Sequence, residues 1–569
     1  MKEKLEKIIK EIAEEMNLDS AGFSVEYPAD LSFGDYATNL AMVASKKVGK
    51  NPRELAEEIK QKILEKNISE IESIDIAGLG FINFKIKDSV FIENITNILQ
   101  NTDSYGRNEL YKGSKTIVEY TDPNPLKIIH IGHLMSNSIG ETISRITEFH
   151  GADVKRACYF GDTGVHIAKT MYALRLNKDK IDKTLSIDEQ TRFLGKMYAE
   201  GNTLYEDNPE AKAEIDKLNI SIYNKEQTEE YELYLWARQV SLDYFETIYK
   251  KIDTHFDFYF PESEVAPLGK KIVEEFKETG IFEDSDGAVV FKGEKYDEKL
   301  HTRVFINKFG VPTYEAKELA LAKKKYDTYP YDVSVVVTAN EISEYFKVIK
   351  KVMSFVFPEL EKKTYHLPHG FLKLPDGKMS SRKGTVVGAD TLISKVQEEV
   401  LIKMADRDIE EESKKDIAEK IAIGSIKYSI LKQGIGKDPV FDFDSSLSFE
   451  GDSGPYLQYA YVRAQSIKRK ADELGIKSDV GKTDKIYGLE KILYKFPEVI
   501  KKAGHDHSPQ TITTYLTDLA SEFNSFYAKE QIADVNDPMS PYKLALVESV
   551  AQVMKNGMWT LAIPVIEKM

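Results

Sequence analysis

The sequence predicts a multidomain α/β protein: an N-terminal α+β domain, a central parallel-sheet core split by an insertion, and a C-terminal all-α bundle. Three observations carry this. Residues 116–160 read strand, loop, helix, strand, the opening of a βαβ unit and hence of a parallel sheet. The texture changes at Thr116, after a compact stretch mixing helical and β-alternating patterns. From about residue 405 onward the apolar spacing is helical.

Each element has its reason. Leu5, Ile8, Ile9, Ile12 and Met16 form one stripe, so residues 1–16 are an amphipathic helix. A turn at Phe33–Asn39 precedes a helix over Leu40–Lys47, and Pro52 opens another, where a missing N–H is harmless. Ile74–Ile86 alternates around Gly78 and Gly80, and a helix follows near 88–100. This first domain closes at residue 106. In the central domain, 107–404, a strand at Thr116–Tyr120 leads through a Pro-containing loop, Asp122–His133, to a helix from Leu134 to about Phe149. Val154–Phe160 is the next strand. Residues 175–260 are richer in charge and read as an insertion. The α/β pattern returns with a helix near 315–326 and a strand at Ser334–Ala339. In the bundle, 405–569, Leu516, Leu519, Ala520, Phe523, Phe526 and Tyr527 form one stripe; Leu544, Val547, Val550, Met554 and Met558 form another.

Composition narrows the class. Apolar residues make up 42% of 569, enough buried surface to offset chain entropy, so disorder is excluded as the main state. No apolar run reaches the length of a membrane helix, and Met1–Met16 lacks the apolar centre of a secretory signal. The single cysteine, Cys158, cannot form an internal disulfide or a multi-cysteine zinc site, and a reducing, cytoplasmic setting is expected. The net charge of −15 argues against non-specific coating of nucleic acid, but leaves room for one basic face.

Two stretches carry chemistry. The loop Asp122–His133 holds Asn124, Lys127, His130, Gly132 and His133 just ahead of a helix N-terminus. Cations, imidazoles and a glycine beside a positive helix end suit a nucleotide's phosphates. Alone, two solvated surface histidines would look the same. A metal site is a weaker rival, because no Glu or Cys stands at zinc spacing. The second stretch, Lys378-Met379-Ser380-Ser381-Arg382-Lys383-Gly384, packs cations and hydroxyls where they could close over a polyphosphate. Alone, it reads equally as a solvated basic turn.

Together they are far more specific. His-Ile-Gly-His after a strand, then Lys-Met-Ser-Ser downstream, resembles the two signatures of class I aminoacyl-tRNA synthetases. Within that class the chain resembles arginyl-tRNA synthetases along nearly its whole length. Pro28–Asn39 and Ala77–Phe84 are similar to their additional N-terminal domain, and Glu119-Tyr120-Thr121-Asp122-Pro123-Asn124 with Lys127 and His130 to their substrate loop. Gly161-Asp162-Thr163-Gly164 is similar to a turn with tryptophan in place of Thr163, and Gly454–Arg463 to the start of their anticodon-binding domain.

The resemblance implies a Rossmann-like core and ATP-dependent attachment of L-arginine to its tRNA through an arginyl-adenylate. His130, His133, Lys127 and Lys378 would be catalytic. ATP would lie on His130, Gly132, His133, Lys378, Met379, Ser380 and Ser381, with Mg²⁺ on the polyphosphate and no zinc. The guanidinium calls for carboxylates at bidentate geometry. Glu119 and Glu318 match by position, with Asn124 for the α-substituents, Tyr314 along the stem and Glu341 at a strand end. tRNA would meet Phe33 and Asn39 in the first domain and Tyr456, Tyr459, Arg463 and Lys468 in the bundle. Aromatics and cations there suit splayed single-stranded bases, although a solvated basic helix face would look alike. A cytoplasmic monomer is implied. Three departures stand out: Ser381 replaces a second loop lysine, Glu318 stands where aspartate is usual, and Thr163 replaces tryptophan. Rival readings are an inactive RNA-binding relative, a synthetase for another amino acid, and a small-molecule adenylating enzyme. The intact histidines and Lys378, the acidic pocket, and the two flanking domains argue against each in turn.

Overall fold

The computed structural model describes residues 1–28, 33–375, 387–481, 483 and 485–569. The described residues form two compact units. The first comprises Met1–Thr102, Ile467–Lys495 and Ser525–Gln552; the second comprises Asp103–Ser466, Phe496–Asn524 and Val553–Met569.

In the first unit, β1 (Val25–Glu26), β2 (Tyr36–Thr38), β3 (Ile71–Ala77) and β4 (Phe81–Ile86) form an antiparallel sheet in the order β1-β2-β4-β3. Helices Lys2–Glu15, Leu40–Val48 and Pro52–Glu65 share a core with it, built on Leu5, Ile9, Ile12, Leu40, Leu55, Ile59, Ile82 and Phe84. The first helix thus buries the stripe its spacing predicts. Asp35 is buried, accepting from the Ile86 N–H at 2.8 Å and from Lys491 at 2.7 Å.

The second unit is organised by a sheet of five parallel strands. Its members are β5 (Lys115–Glu119), β6 (Asp153–Phe160) and β7 (Phe258–Pro261). After a separate antiparallel meander, β8 (Glu283–Ser285), β9 (Ala288–Lys292) and β10 (Thr302–Ile306), come β11 (Val333–Ala339) and β12 (Thr364–His369). The order β12-β11-β5-β6-β7 reverses direction at β5, and open α/β sheets bind ligands at the carboxyl ends of their strands beside such a switch. The expected parallel core is therefore present. The insertion is helical, with Ile187–Asp207, Pro209–Tyr223 and Glu229–Lys251 packing on Val165–Leu176 around Leu194, Ile215, Leu218 and Ala237. From residue 411 the chain is helical, and Leu516, Leu519, Ala520 and Phe523 are fully buried as their stripe requires, whereas Tyr527 is exposed.

One helix, Ile131–Phe149, lies against β5, β6 and β11. It is buried along almost its whole length, including a carboxylate, Glu141. Glu141 accepts from Arg145 Nε at 2.7 Å, Arg156 Nε at 2.9 Å and the Tyr120 hydroxyl at 2.6 Å. Burial alone would raise its pKa, but Arg145 and Arg156 overcome burial and hold it at about 2. A depressed carboxyl contributes stability above its unfolded value of 4.5, lost as pH falls toward 2. Arg145 also donates to Asp253 and to the Trp559 carbonyl. Glu141→Leu leaves two buried guanidiniums without their shared partner and is expected to cost about 3–5 kcal/mol. Calorimetric unfolding checks it, against Lys112→Ala at the exposed Glu109 pair, which should barely move the transition.

Candidate active site

The chain leaves β5 through strained backbone. Thr121, Asp122 and Leu126 have φ of 76°, 48° and 66°, all non-glycine residues in the left-handed region. The strain is held by specific bonds. The Thr121 N–H donates to Ser136 Oγ at 3.0 Å, and Asn137 donates to Thr121 Oγ1 at 3.0 Å. Asp122 Oδ1 accepts from the Tyr159 N–H at 2.8 Å, and Asn124 Oδ1 from the Gly161 N–H at 3.1 Å. A Cβ at Gly161 would stand 2.5 Å from Asn124 Oδ1, so this bond needs glycine.

The following helix begins at Ile131, three residues earlier than the apolar pattern places it, because the histidines cap it. His130 Nδ1 accepts from the Gly132 N–H and His133 Nδ1 from the His130 N–H, both at 3.1 Å. Each ring therefore keeps its remaining proton on Nε2. The rings stack at 3.7 Å between centroids. Burial, then Lys127, lowers the His130 pKa to about 4; burial, then His130 and Lys127, lowers that of His133 well below its ordinary value. Both are neutral near pH 7 and present Nε2–H donors at a positive helix end. A Cβ on Gly132 would lie 2.9 Å from His130 Cε1.

Lys378, Met379, Ser380 and Ser381, with Arg382 and Lys383, lie outside the described residues. The described residues resume at Val387. The Ala389 N–H donates to the Ile129 carbonyl at 2.8 Å, and the Ile131 N–H to Val387 at 3.3 Å, so Val387–Ala389 is tied to the start of the histidine helix.

Carboxylates gather at the same sheet edge. Glu119 ends β5 and is fully buried, but its Oε2 is taken by the buried Lys325 at 2.6 Å. Glu262, at the start of the helix after β7, bonds Lys317 and accepts from the Thr163 hydroxyl at 3.3 Å, which gives Thr163 a task. Glu318 has no ion-pair partner among the described residues. Burial, then the charge of Glu119, pushes its pKa up to about 8. It lies one turn after Tyr314 on helix Tyr314–Thr328, on the same face. The Tyr345 hydroxyl donates to the Tyr314 carbonyl at 3.1 Å, and Glu318 raises the pKa values of both Tyr345 and Tyr159 after burial. Burial, then Glu119, also holds Asp122 well above the usual carboxyl range. Acidic groups thus cluster here, and two of them, Asp122 and Glu318, have no ion-pair partner among the described residues. Glu341, beyond the end of β11, is exposed.

Glu262, Tyr159, Tyr345 and His166 were not read from the sequence. An acid opening a helix straight after the aromatic strand Phe258–Pro261 was the available signal for Glu262. His166, donating from Nε2 to the Gly161 carbonyl at 3.0 Å, carries no such mark.

The expected RNA contacts divide. Tyr456, Tyr459 and Arg463 line a cavity of about 410 Å³ with Lys403, Arg407 and Asn524. The Arg463 guanidinium lies 4.7 Å from the Tyr459 ring centre and bonds Asn524, which donates to the Tyr456 hydroxyl at 3.1 Å. Lys468 is in the first unit, 3.8 Å from Glu548. There too Phe33 is exposed, while Asn39 Oδ1 accepts from the Ser24 N–H at 2.8 Å.

Comparison with known proteins gives a consistent picture. Residues 94–443 match the family described as tRNA synthetases class I (R), catalytic domain. Residues 457–569 match the DALR anticodon binding domain, and residues 1–86 the arginyl tRNA synthetase N terminal domain. The arginine–tRNA ligase of Fusobacterium nucleatum is 33% identical over 95% of this chain and 94% of its own. That of Clostridium botulinum is 31% identical over the full length of both. Among solved structures, Thermus thermophilus arginyl-tRNA synthetase shares the fold with a TM-score of 0.81 at 24% identity, covering both chains completely.

Gly132→Ala should fold and lose activity by roughly a hundredfold, as expected when a preorganised donor leaves its place. His133→Ala should likewise fold and abolish charging; turnover by either at the unmodified rate would remove the histidines' assigned role.

Proposed function

This chain belongs to the arginyl-tRNA synthetase family, whose reaction attaches arginine to tRNA for translation using ATP, and we propose how its residues divide that work. The observation that carries the reading is the pairing of two neutral Nε2–H donors at a helix end with a cluster of acids in which Glu318 has no ion-pair partner among the described residues.

In the first step the carboxylate of L-arginine attacks the α-phosphorus of ATP. An O–P bond forms, the bond to the β-phosphate oxygen breaks, and pyrophosphate leaves as an anion. His130 and His133 donate to the phosphates, Lys127 and Lys378 supply positive charge, and Gly132 with Met379, Ser380 and Ser381 lines the nucleotide. Mg²⁺ travels on the polyphosphate. No side chain acts as nucleophile; placement and electrostatics lower the barrier. In the second step the terminal 2′-hydroxyl of the tRNA attacks the adenylate carbonyl, AMP leaves, and the hydroxyl proton passes to solvent.

For arginine, Glu318 takes the guanidinium, Tyr314 packs along the stem, and Asn124 holds the α-substituents. Glu119, already paired with Lys325, shapes the field from below, and Glu341 closes the rim. Residues 1–106 are read as the tRNA-corner domain with Phe33 and Asn39, 107–404 as the catalytic domain, and 405–569 as the anticodon-binding domain. The cavity of Tyr456, Tyr459 and Arg463 takes a splayed base, and Lys468 a phosphate. The working form is a cytoplasmic monomer.

Charging of tRNA with labelled arginine, with lysine, glutamate and cysteine as controls, tests the reading; ATP–pyrophosphate exchange with and without tRNA tests whether activation requires it. The raised pKa of Glu318 adds a pH signature. Arginine binds the ionised carboxylate, so kcat/KM for arginine should fall about tenfold per pH unit below about 8. Glu318→Gln should lower kcat/KM and flatten that slope. For stability, a raised carboxyl pKa means the folded chain keeps a proton that the unfolded chain has lost. Stability therefore falls as pH rises from 4.5 to about 8, and Glu318→Gln should flatten that too.

A further inference from the structure

Lys127 is held in an unusual way for a half-buried cation. Among the described residues no carboxylate pairs with it. Its ammonium instead lies 4.9 Å from the ring centre of Tyr198, on helix Ile187–Asp207 of the insertion. Its charge reaches three imidazoles, lowering His130, His133 and His166 after burial. The preceding residue is gripped by the same insertion. Leu126, at φ 66°, is buried in the insertion's core beside Leu194 and Met197, and its N–H donates to Ser241 Oγ at 3.0 Å. Ser241 gives its own proton to the Ala237 carbonyl at 3.0 Å, which leaves a lone pair for Leu126.

The physical point is what an aromatic face does that a carboxylate does not. A carboxylate would fix the ammonium but cancel its field. A ring quadrupole fixes it and leaves its full charge available. Lys127 therefore meets an incoming polyphosphate as a placed, uncompensated cation.

We propose that the insertion acts as a clamp on the phosphate site, with Tyr198 and Ser241 as positioning residues that set Lys127 without neutralising it. This rests on the reading of Lys127 as a phosphate-binding cation. Tyr198 acts through Lys127, and its ring, not its hydroxyl, is the working part.

The test is a double-mutant cycle on the full chain, read by tRNA-supported ATP–pyrophosphate exchange with kcat and each KM resolved. Tyr198→Leu should lower kcat about three- to thirtyfold, the range of a cation–π contact, with the KM for arginine unchanged. Tyr198→Phe keeps the ring and should stay within about twofold. Tyr198→Leu combined with Lys127→Ala should be no slower than Lys127→Ala alone. Equal losses in the Phe and Leu variants, or multiplying losses in the double variant, would overturn the clamp. Undiminished exchange by Lys127→Ala alone would instead overturn the reading of Lys127 on which the clamp rests.

Discussion

The site depends on one constraint: how the chain turns off the end of β5. Within six residues it passes three times through left-handed backbone without a glycine, at Thr121, Asp122 and Leu126. Such strain persists only where neighbours over-determine it. Here they do, from three directions. Ser136 and Asn137 hold it from the histidine helix, Tyr159 from β6 with Gly161 just past its end, and Ser241 from the insertion. If the turn relaxed, the helix would lose its entry angle and the histidine cap with it. The histidine end and the carboxylate end of the site hang from the same six residues.

Charge is handled differently at the two ends. At the carboxylate end, buried lysines already answer two acids, Lys325 for Glu119 and Lys317 for Glu262. Such pairs contribute little net stability, since desolvation offsets much of the attraction, but they orient their members. They leave Glu318 without an ion-pair partner among the described residues, its carboxyl held protonated by burial and by Glu119. At the histidine end the order is reversed: the imidazoles are kept neutral by burial, and Lys127 beside them has no carboxylate partner among the described residues.

Much of this was legible in the sequence, and the rest was not for definable reasons. Strand β5, the loop and the two histidines announced themselves because strand periodicity and a glycine between imidazoles are local signals. The helix start was misplaced by three residues because apolar periodicity says nothing about a side chain that caps its own helix. Glu119 was matched by position, but its partner Lys325 stands far along the chain in an unremarkable basic run on helix Tyr314–Thr328, and only the fold brings them together. Glu318 and Tyr314 followed from the family resemblance alone; that they lie one turn apart on a single helix is what the structure adds. Tyr159 and Tyr198 come from two separate elements, and no local pattern marks them as neighbours of the site.

A final consequence concerns metals. A histidine pair three residues apart on a helix is a common way to bind a divalent ion, through lone pairs turned to one point. Here the lone pairs are spent on the helix itself: each Nδ1 accepts a backbone N–H, and each Nε2 carries the proton. To ligate zinc or copper, an imidazole would have to shed that proton or switch tautomer and uncap the helix. The capping that fixes the tautomers therefore also leaves neither imidazole a free lone pair to offer a metal.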